Sequence, residues 1–287
     1  MLALTMALAI SGCDMKRENP AAYFDGPYLQ AAQAIEDNDM ARLQILVRNG
    51  VVVDTPGRKQ MTLLWYSMQR ENFDAITTLI RLGSDPDKQV AQGLGTALEV
   101  ALTHKDPRYL DAMLEGGLSP NLQSEDGTTL LQRATLGPNA IERIKLLVMR
   151  GADVNLRDKI GGTALADAID VRKPEIALYL VEQGADVNAT MTNGVSIAWG
   201  LQFILQRLQP GAASGEVTDI TLDAKGQPVP RDTTPPSVSE TDQANNKLRA
   251  DFERLRDLMI AKGAQFPAEP PAKVRERMKA QGLEVAE

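Results

Sequence analysis

The sequence contains very little of what catalytic and metal sites are made from. Its 287 residues include one cysteine, Cys13, and one histidine, His104. A disulfide within the chain and a zinc site of several cysteine and histidine ligands are excluded by count, and any histidine-dependent catalysis would have to use His104. The glycine-rich stretches 93–96 and 161–163 lack the Gly-Lys-Ser/Thr ending of phosphate-binding loops. We therefore expect no enzymatic activity, no metal and no cofactor.

Aromatic residues and positive charge are also scarce. Aromatic side chains make up 4% of the sequence and hydrophobic residues 43%, which suits close packing between helices better than a β-sandwich. The net charge is −7, which argues against nucleic-acid binding because affinity for phosphates comes from clustered Lys and Arg. No small-molecule substrate is indicated. The apolar run from Leu2 to Ile10 is too short to cross a bilayer as a helix.

The sequence does contain a repeated unit. Each copy has an inner apolar stripe, a pair of neighbouring aliphatic residues and a glycine that suits the left-handed backbone at a helix end. The glycines are separated by 33, 34, 34, 33 and 79 residues, and such a period predicts stacked pairs of helices. The glycines are Gly50, Gly83, Gly117, Gly151, Gly184 and Gly263. The aliphatic pairs are Leu46-Val47, Leu79-Ile80, Met113-Leu114, Leu147-Val148, Leu180-Val181 and Met259-Ile260.

A second pattern runs along the inner helices. An aliphatic residue is followed three residues later by a small one, so that both lie on one helical face. Small side chains at a constant place let neighbouring helices approach closely, and the column therefore predicts the seam between inner helices. The aliphatic residues are Leu29, Leu64, Leu98, Leu131, Leu165 and Ile197. The small residues are Ala32, Ser67, Ala101, Ala134, Ala168 and Gly200.

Three segments carry a resemblance to a known family. Asp126-Gly127-Thr128-Thr129-Leu130-Leu131 opens one repeat, and Gly151-Ala152-Asp153-Val154-Asn155 and Gly184-Ala185-Asp186-Val187-Asn188 close two others. These segments resemble the ankyrin repeat, with the resemblance extending over residues 27–267. It implies an all-α fold, an ankyrin-repeat solenoid of about six helix pairs with short hairpin tips. Threonines expected to cap the inner helices are Thr62, Thr96, Thr129 and Thr163.

The repeats depart from the ankyrin consensus at two places. The proline that follows the threonine in the consensus is missing throughout. The consensus histidine two residues further on is replaced by Trp65, Glu99, Gln132 and Ala166. The threonine–histidine hydrogen-bond network of the family is then absent, so we expect lower stability per repeat and an unchanged fold.

The last repeat is interrupted. Its glycine spacing of 79 residues is 46 longer than the repeat of 33, and the excess lies in residues 210–243, which are rich in Pro, Gly, Ser, Thr and Asp. We assign repeats one to five and the first helix of repeat six to residues 27–209, and the second helix of repeat six with a C-terminal cap to residues 244–287. The insertion, with the pattern of a short hairpin, is either an idle surface loop or a binding arm.

The N-terminal residues have the pattern of an exported, lipid-anchored protein. Ile10-Ser11-Gly12-Cys13 resembles the lipobox of bacterial lipoproteins, which implies a signal peptide over residues 1–12, lipid attachment to the Cys13 thiol and a lipidated linker over residues 13–26. We expect a location in the cell envelope, facing the periplasm, and Asp14 favours the inner membrane in a Gram-negative host. The alternatives are an ordinary signal peptide or a short buried N-terminal helix.

Ankyrin repeats bind proteins through hairpin tips and the exposed face of the inner helices, and the resemblance implies the equivalent residues here. The tip residues are Arg58, Lys59, Met61, Gln92, Glu125, Thr128, Lys159, Ile160, Met191 and Thr192. The groove residues are Trp65, Gln69, Arg70, Thr103, His104, Leu136, Asp170, Val171, Gln202 and Phe203. Apolar members either pack against neighbours or together form an anchor patch. At its helix end, His104 is also expected to be a cation that complements the helix dipole.

These patterns predict a lipid-anchored extracytoplasmic protein that binds and sequesters or inhibits a protein partner. The resemblance to ankyrin-repeat lipoproteins implies one specific role, immunity against a secreted antibacterial effector such as a phospholipase. An organiser or helper subunit of an envelope protein complex is the alternative. A hydrolase that uses His104 or acidic tip residues is a third hypothesis, which the single histidine disfavours.

Overall fold

The computed structural model describes residues 18–89, 95–209 and 240–286. The chain divides into two compact units, unit 1 over Met1–Leu156 and unit 2 over Arg157–Glu287. The predicted signal peptide, the lipidation residue Cys13 and the tip residue Gln92 lie outside the described residues, as does most of the predicted insertion.

The described residues fold into thirteen α-helices, six successive pairs and a closing helix. Unit 1 contains α1 Gly26–Glu36, α2 Met40–Arg48, α3 Leu63–Gln69, α4 Phe73–Arg81, α5 Ala97–Thr103, α6 Arg108–Glu115, α7 Leu130–Ala134 and α8 Ala140–Met149. Unit 2 contains α9 Ala164–Asp170, α10 Pro174–Glu182, α11 Ile197–Arg207, α12 Glu240–Ala261 and α13 Pro271–Ala280. Two isolated β-bridges occur in this part of the chain, Gln123 with Thr129 and Thr190 with Ser196. The predicted all-α class with six ankyrin-type helix pairs is confirmed.

Each inner helix from α3 onward begins at a hydroxyl side chain. The Thr62 hydroxyl accepts a hydrogen bond from the Trp65 amide at 3.2 Å, and Ser196 caps α11 in the same way. Such a bond satisfies one of the amides that a helix N-terminus leaves without a partner. The capping threonines are the four predicted ones, Thr62, Thr96, Thr129 and Thr163.

Two residues at the consensus histidine position complete reciprocal caps. Glu99 Oε2 accepts from the Thr96 amide at 2.8 Å, while the Thr96 hydroxyl accepts from the Glu99 amide at 3.1 Å. Gln132 and Thr129 make the same pair of bonds at 3.0 and 3.1 Å. The third and fourth repeats therefore have capping boxes in place of the absent threonine–histidine network.

The glycine that marks the period lies just after the end of each outer helix. All six glycines have positive φ, between 92° and 110°. In the second repeat the Gly83 amide donates to the Ile80 carbonyl and the Ser84 amide to the Leu79 carbonyl, both at 2.9 Å. The aliphatic pair thus supplies two carbonyls that the helix end leaves unpaired, and the absent side chain of glycine permits the left-handed turn that reaches them.

The small-residue column is closely packed in five repeats and open in the sixth. The fully buried members are Ala32, Ser67, Ala101, Ala134 and Ala168. Gly200 in α11 differs, because a Cβ placed there would meet no atom within 4 Å. The predicted close approach between helices is therefore wrong at Gly200, where the space beside the helix would accept a larger residue.

The described part of the predicted linker is packed against the first two repeats. Pro20–Ala22 forms a turn of 3-10 helix, and the two aromatic residues after it, Tyr23 and Phe24, are buried. Their rings lie 6.1 and 5.6 Å from the ring of Tyr66 in edge-to-face contacts. Within the predicted linker, aromatic burial therefore holds residues 20–24 in place.

The last three helices pack within unit 2. α12 is 22 residues long and begins at Glu240, inside the region predicted as insertion. It packs against α10 and α11 and buries Phe252, Leu255 and Met259. α13 follows within residues 244–287 and buries Val274.

Candidate partner-binding surface

The groove residue Arg70 of unit 1 belongs to a hydrogen-bonded network. Its Nε donates to Glu36 Oε1 at 2.6 Å, and its Nη2 donates to the Tyr66 hydroxyl at 3.0 Å and to the Glu18 carbonyl. The Tyr66 hydroxyl also donates to Glu36, and burial raises the pKa of Tyr66 to about 12. The Arg70 side chain is only 10% exposed, so it is not the free contact that the sequence predicted.

This network borders a polar cavity of about 590 Å³ at the start of unit 1. Its wall includes the carboxylates of Glu18 and Glu36 and the guanidinium of Arg70. Lys59 Nζ donates to Glu18 Oε2 at 3.0 Å, a bond that lowers the pKa of the Glu18 carboxyl. Both carboxylates therefore already have a cationic partner within the chain, and the cavity offers mixed polar groups instead of an apolar anchor.

His104 is held by its own repeat. Its ring lies 4.7 Å from that of Tyr109 in an edge-to-face contact. Nδ1 accepts a hydrogen bond from the Asp106 amide at 3.1 Å. The side chain is half-buried and serves the packing of the α5–α6 turn.

Among the apolar candidates of unit 1, Met61 and Leu136 differ. Met61, predicted at an exposed tip, is 9% exposed, so that prediction is wrong and the packing interpretation is correct. Leu136 is exposed over more than half of its surface. Trp65 is half-buried, and its indole N–H is enclosed without a hydrogen-bond partner in the described part of the chain. Leu136 is therefore the apolar candidate that unit 1 leaves open.

Of the other polar tip and groove residues of unit 1 that the structure describes, Thr128 is half-buried and the rest are exposed. Arg58 pairs with Asp25, as Lys59 does with Glu18. In the fourth tip, Asp126 accepts from the Ser124 hydroxyl at 2.6 Å and from the Thr128 amide at 3.1 Å, and the Ser124 bond is the main reason why the pKa of Asp126 falls to about 2. The remaining exposed candidates are Gln69, Thr103 and Glu125.

Two arginines with internal partners were not anticipated from the sequence, the partly buried Arg133 and the buried Arg143. Arg133 in α7 reaches the third tip, where its two terminal nitrogens donate to the carboxylate of Asp87, each at 2.8 Å. Those bonds lower the pKa of Asp87. The pair links residues 46 positions apart, a separation that no local pattern reveals.

Arg143 in α8 is 1% exposed. Its guanidinium donates to the carbonyls of Pro138 at 2.7 Å, Leu136 at 3.1 Å and His104 at 3.3 Å, and burial lowers its pKa. It therefore joins the turn before α8 to the end of α5 beneath the groove. Its place within the apolar stripe of α8 was the available sequence signal, since a charged residue there must find buried partners.

Unit 2 presents apolar residues at the equivalent groove positions. Val171, at the end of α9, and Phe203, in α11, each follow the aliphatic residue of their inner helix by six positions. They are 38% and 50% exposed, and Asp170 beside Val171 is also exposed. The Arg207 guanidinium lies 5.5 Å from the centre of the Phe203 ring. Val171 and Phe203 are therefore apolar groove residues that unit 2 leaves partly exposed.

The two hairpin tips of unit 2 differ in exposure. Lys159 and Ile160 are exposed, whereas Met191 and Thr192 are half-buried. The Thr192 carbonyl accepts from the Ala286 amide at 3.0 Å, so the chain's own C-terminal residues lie on this tip.

The side chain of the groove residue Gln202 is also hydrogen-bonded to the C-terminal segment. Its Oε1 accepts from the Ala268 amide at 2.9 Å. Gln202 and the Thr192 carbonyl of the sixth repeat are thus engaged within the chain, while the side chains of Phe203 in that repeat and of Ile160 and Val171 in the fifth are exposed.

Comparison with known proteins agrees with this architecture. Residues 96–191 match the family model for ankyrin repeats in three copies. A solved ankyrin repeat domain from Acinetobacter baumannii AYE covers 82% of this chain and 98% of its own, with 17% identity and a TM-score of 0.50. Residues 96–191 are ankyrin repeats.

Curated relatives share these ankyrin repeats over part of their length. Protein PhlB of Serratia liquefaciens is 29% identical over 152 residues, which is 52% of this chain and 66% of PhlB. Human protein phosphatase 1 regulatory subunit 27 is 44% identical over 68 residues, 24% of this chain and 44% of the relative. The first curated relatives are spanned over 33% to 66% of their own length. Ankyrin repeats mediate protein–protein interactions.

None of the helices in residues 18–89, 95–209 and 240–286 is both long and apolar enough to cross a membrane. These residues also contain no group of three or more His, Cys, Asp or Glu side chains placed to hold a metal ion.

Proposed function

We propose that this protein is a lipid-anchored, extracytoplasmic ankyrin-repeat protein that captures and inhibits a protein partner without enzymatic activity of its own. The observation that carries the proposal is the exposed apolar pair Val171 and Phe203, on neighbouring inner helices of unit 2. Large apolar side chains that remain uncovered on a rigid surface are the anchors that interfaces use. The exposed Ile160 at the tip of the fifth repeat extends the same unit's apolar surface toward its hairpin.

The charges beside this pair indicate the chemistry of the partner segment. Arg207 lies over the Phe203 ring and forms no ion pair with any residue that the structure describes. Arg172, next to Val171, is exposed and likewise lacks an ion pair within the described ranges. A guanidinium already positioned on an aromatic ring is well placed to bind a carboxylate. The preferred segment therefore carries an apolar side chain flanked by Asp or Glu.

A displayed library of random peptides tests this proposal on the purified protein. We expect enrichment of peptides in which an apolar residue neighbours Asp or Glu. Phe203→Ala should weaken binding of these peptides by at least about tenfold, because truncation of an interface anchor typically costs 2 kcal/mol or more. Arg207→Glu should weaken it similarly, with a stronger loss for the most acidic peptides.

The matched control is Ile45→Ala, which truncates an equally exposed aliphatic residue on the outer helix α2. It should leave peptide binding unchanged. Enrichment of basic or uncharged peptides, or equal loss of binding in Phe203→Ala and Ile45→Ala, would contradict the proposed site.

The lipid anchor is supported by the lipobox-like residues that end at Cys13. Cys13→Ser should release the protein from the membrane fraction of a bacterial host, because attached acyl chains supply the membrane affinity. Persistence of the serine variant in that fraction would reject lipid anchoring. The peptide-binding result would be unaffected.

Inhibition is the role we propose for the captured partner, with a secreted antibacterial effector as its specific class. One relative, protein phosphatase 1 regulatory subunit 27, is by name a regulatory subunit of an enzyme. Affinity capture from the native host should retain one dominant protein with the unaltered chain and lose it with Phe203→Ala. Addition of the purified chain should abolish that protein's activity at equimolar concentration. Capture of several envelope proteins with unchanged activities would instead support an organiser or helper of an envelope complex.

A further inference from the structure

Hairpin tips in unit 2 are joined by a backbone hydrogen bond. The Thr192 amide of the sixth tip donates to the Ile160 carbonyl of the fifth tip at 2.9 Å. Thr192 lies four residues before its helix cap, Ser196, and Ile160 lies three residues before its cap, Thr163. In this pair one tip supplies an amide and the other a carbonyl, so a tip without a hairpin before it lacks the carbonyl partner and a tip without a hairpin after it lacks the amide partner.

At the N-terminal end a non-repeat residue supplies the missing carbonyl. Arg58 lies four residues before its cap, Thr62, and its amide donates to the Tyr23 carbonyl at 2.7 Å. A Cβ placed on the neighbouring Gly57 would collide with the same carbonyl oxygen. Tyr23 thus takes the place of a preceding hairpin in unit 1.

At the C-terminal end a side chain supplies the missing donor. Asn193 lies three residues before its cap, Ser196, and its carbonyl accepts from Arg275 Nη1 at 2.8 Å. A Cβ on Gly194 would overlap the Pro271 carbonyl oxygen and the Arg275 side chain. The Arg275 guanidinium in α13 therefore replaces the backbone amide of a following hairpin in unit 2.

The two end contacts differ in how much apolar surface holds them. Phe24, next to Tyr23, is 1% exposed and packs with Tyr66. The C-terminal segment, residues 264–286, buries only three small aliphatic residues, Ala264, Ala268 and Val274. Because local opening is easiest where few apolar contacts are buried, the C-terminal contact is the one that opens more readily.

We propose that residues 264–286 are a strap that opens and closes over the sixth repeat. In the closed form the strap occupies two predicted binding positions of its own chain. The Ala286 amide donates to the Thr192 carbonyl, and the Ala268 amide donates to the side-chain oxygen of Gln202. Opening frees both predicted binding positions, and Arg275 is the residue that holds the strap shut. The proposal rests on the contacts of Thr192, Asn193 and Gln202 and requires no binding at Val171 or Phe203, although Phe203 lies beside Gln202 in the same repeat.

Hydrogen exchange of the full chain, measured by mass spectrometry, tests the strap directly. Amides of residues 264–286 should exchange at least about tenfold faster than those of α9 and α10, and Arg275→Ala should raise their exchange by a further factor of about ten, the effect of losing a hydrogen bond from a charged donor. Arg277→Ala is the control on the same helix, because Arg277 pairs with Glu269 inside the strap. Strap exchange as slow as that of α10 and insensitive to Arg275→Ala would overturn the proposal.

A labelled synthetic peptide of residues 264–286 gives a second test. It should bind a full chain carrying Val274→Asp and Arg275→Ala at least about tenfold more tightly than the unaltered chain, whose own strap competes. The same peptide with Arg275→Ala should not bind either chain. Equal binding to both chains, or binding to neither, would show that the sixth tip is not an exchangeable site. Circular dichroism of the double variant verifies that its helices are retained.

Discussion

Units 1 and 2 use equivalent groove positions for different purposes. In unit 1 two of the residues at this position, Arg70 and His104, are engaged by their own unit through hydrogen bonds and ring contacts. In unit 2 the same position is held by Val171 and Phe203, which are apolar and exposed. A place in the repeat therefore does not by itself make a residue available to a partner. What decides availability is whether another segment of the same unit reaches it.

The N-terminal segment explains much of this difference. It brings Glu18 to Arg70 and the rings of Tyr23 and Phe24 to Tyr66. Side chains that would otherwise face a partner are thereby engaged in contacts within unit 1. The fifth repeat has no such cover among the described residues, and its groove residue Val171 and tip residue Ile160 remain open.

The largest expected difference between the units is in stability. Met61→Ala should lower the free energy of unfolding by about 2–5 kcal/mol, since it empties a buried site. Phe203→Ala should change it by less than about 0.5 kcal/mol, because the ring is half exposed. Urea unfolding followed by circular dichroism measures both. A similar loss of unfolding free energy in the two variants would show that Phe203, like Met61, stabilises the fold and is not reserved for a partner.

Larger side chains in the seam between inner helices should destabilise both units to a similar degree, except in the sixth repeat. Ala134→Leu in unit 1 and Ala168→Leu in unit 2 should each cost about 1–3 kcal/mol, because both sites are fully packed. Gly200→Ala should cost nothing and stabilise α11 by up to about 1 kcal/mol, since the site is open and alanine favours helix. An unchanged melting temperature for Ala168→Leu would contradict the proposed packing register.

Acid should weaken unit 1 through the Asp87–Arg133 pair. The bonds from Arg133 lower the folded-state pKa of Asp87, so their contribution is present above the unfolded carboxyl value of about 3.9 and is lost as the pH falls through the lowered value. Asp87→Asn should cost about 1 kcal/mol at pH 7. The gap from the unaltered chain should shrink steadily toward pH 2 in urea-unfolding titrations.

Glu142→Gln supplies the control for that titration, because the Glu142–Lys145 pair is exposed and 3.7 Å long. Its effect should stay within about 0.5 kcal/mol at every pH. A constant gap between Asp87→Asn and the unaltered chain from pH 7 to pH 2 would show that the charge of Asp87 is not what stabilises the fold.

The smallest expected effect concerns the capping boxes of unit 1. Glu99→Ala should cost about 0.5–1 kcal/mol, because it removes the reciprocal half of the Thr96 cap. Glu99→Gln should cost less, since Gln132 makes the same bond in the next repeat. Thermal unfolding can resolve the two. Equal losses would indicate that the carboxylate charge, and not the hydrogen bond, is what the third repeat uses.

Sequence reasoning succeeded where the deciding contacts are local. The capping threonine Thr62 bonds to an amide three residues away, and Gly83 bonds back to Ile80. Such contacts repeat with the period, so the pattern of residue types was enough to predict helix pairs, their starts and their ends. The capping role of Glu99 and Gln132 was not predicted, although Thr-x-x-Glu and Thr-x-x-Gln are the local signature of a capping box.

Reasoning from the sequence failed where the partner is distant in the chain. Arg133 binds Asp87 from 46 positions away, and Gln202 accepts from Ala268 across 66. Met61 was expected to be exposed because its place in the repeat is usually polar. Its burial depends on which residues pack around the second tip, and residue types at a fixed spacing do not state that.

By itself the sequence determined the repeat, the all-α class, and the caps and glycines that bound each helix, because these features arise from hydrogen bonds spanning three to five residues. Only the tertiary structure decided which groove and tip residues stay exposed. That outcome depends on the terminal segments, which bring Tyr23 to the second tip and Arg275 to the sixth. Contacts between such distant positions form only when the chain has folded, and burial follows from them.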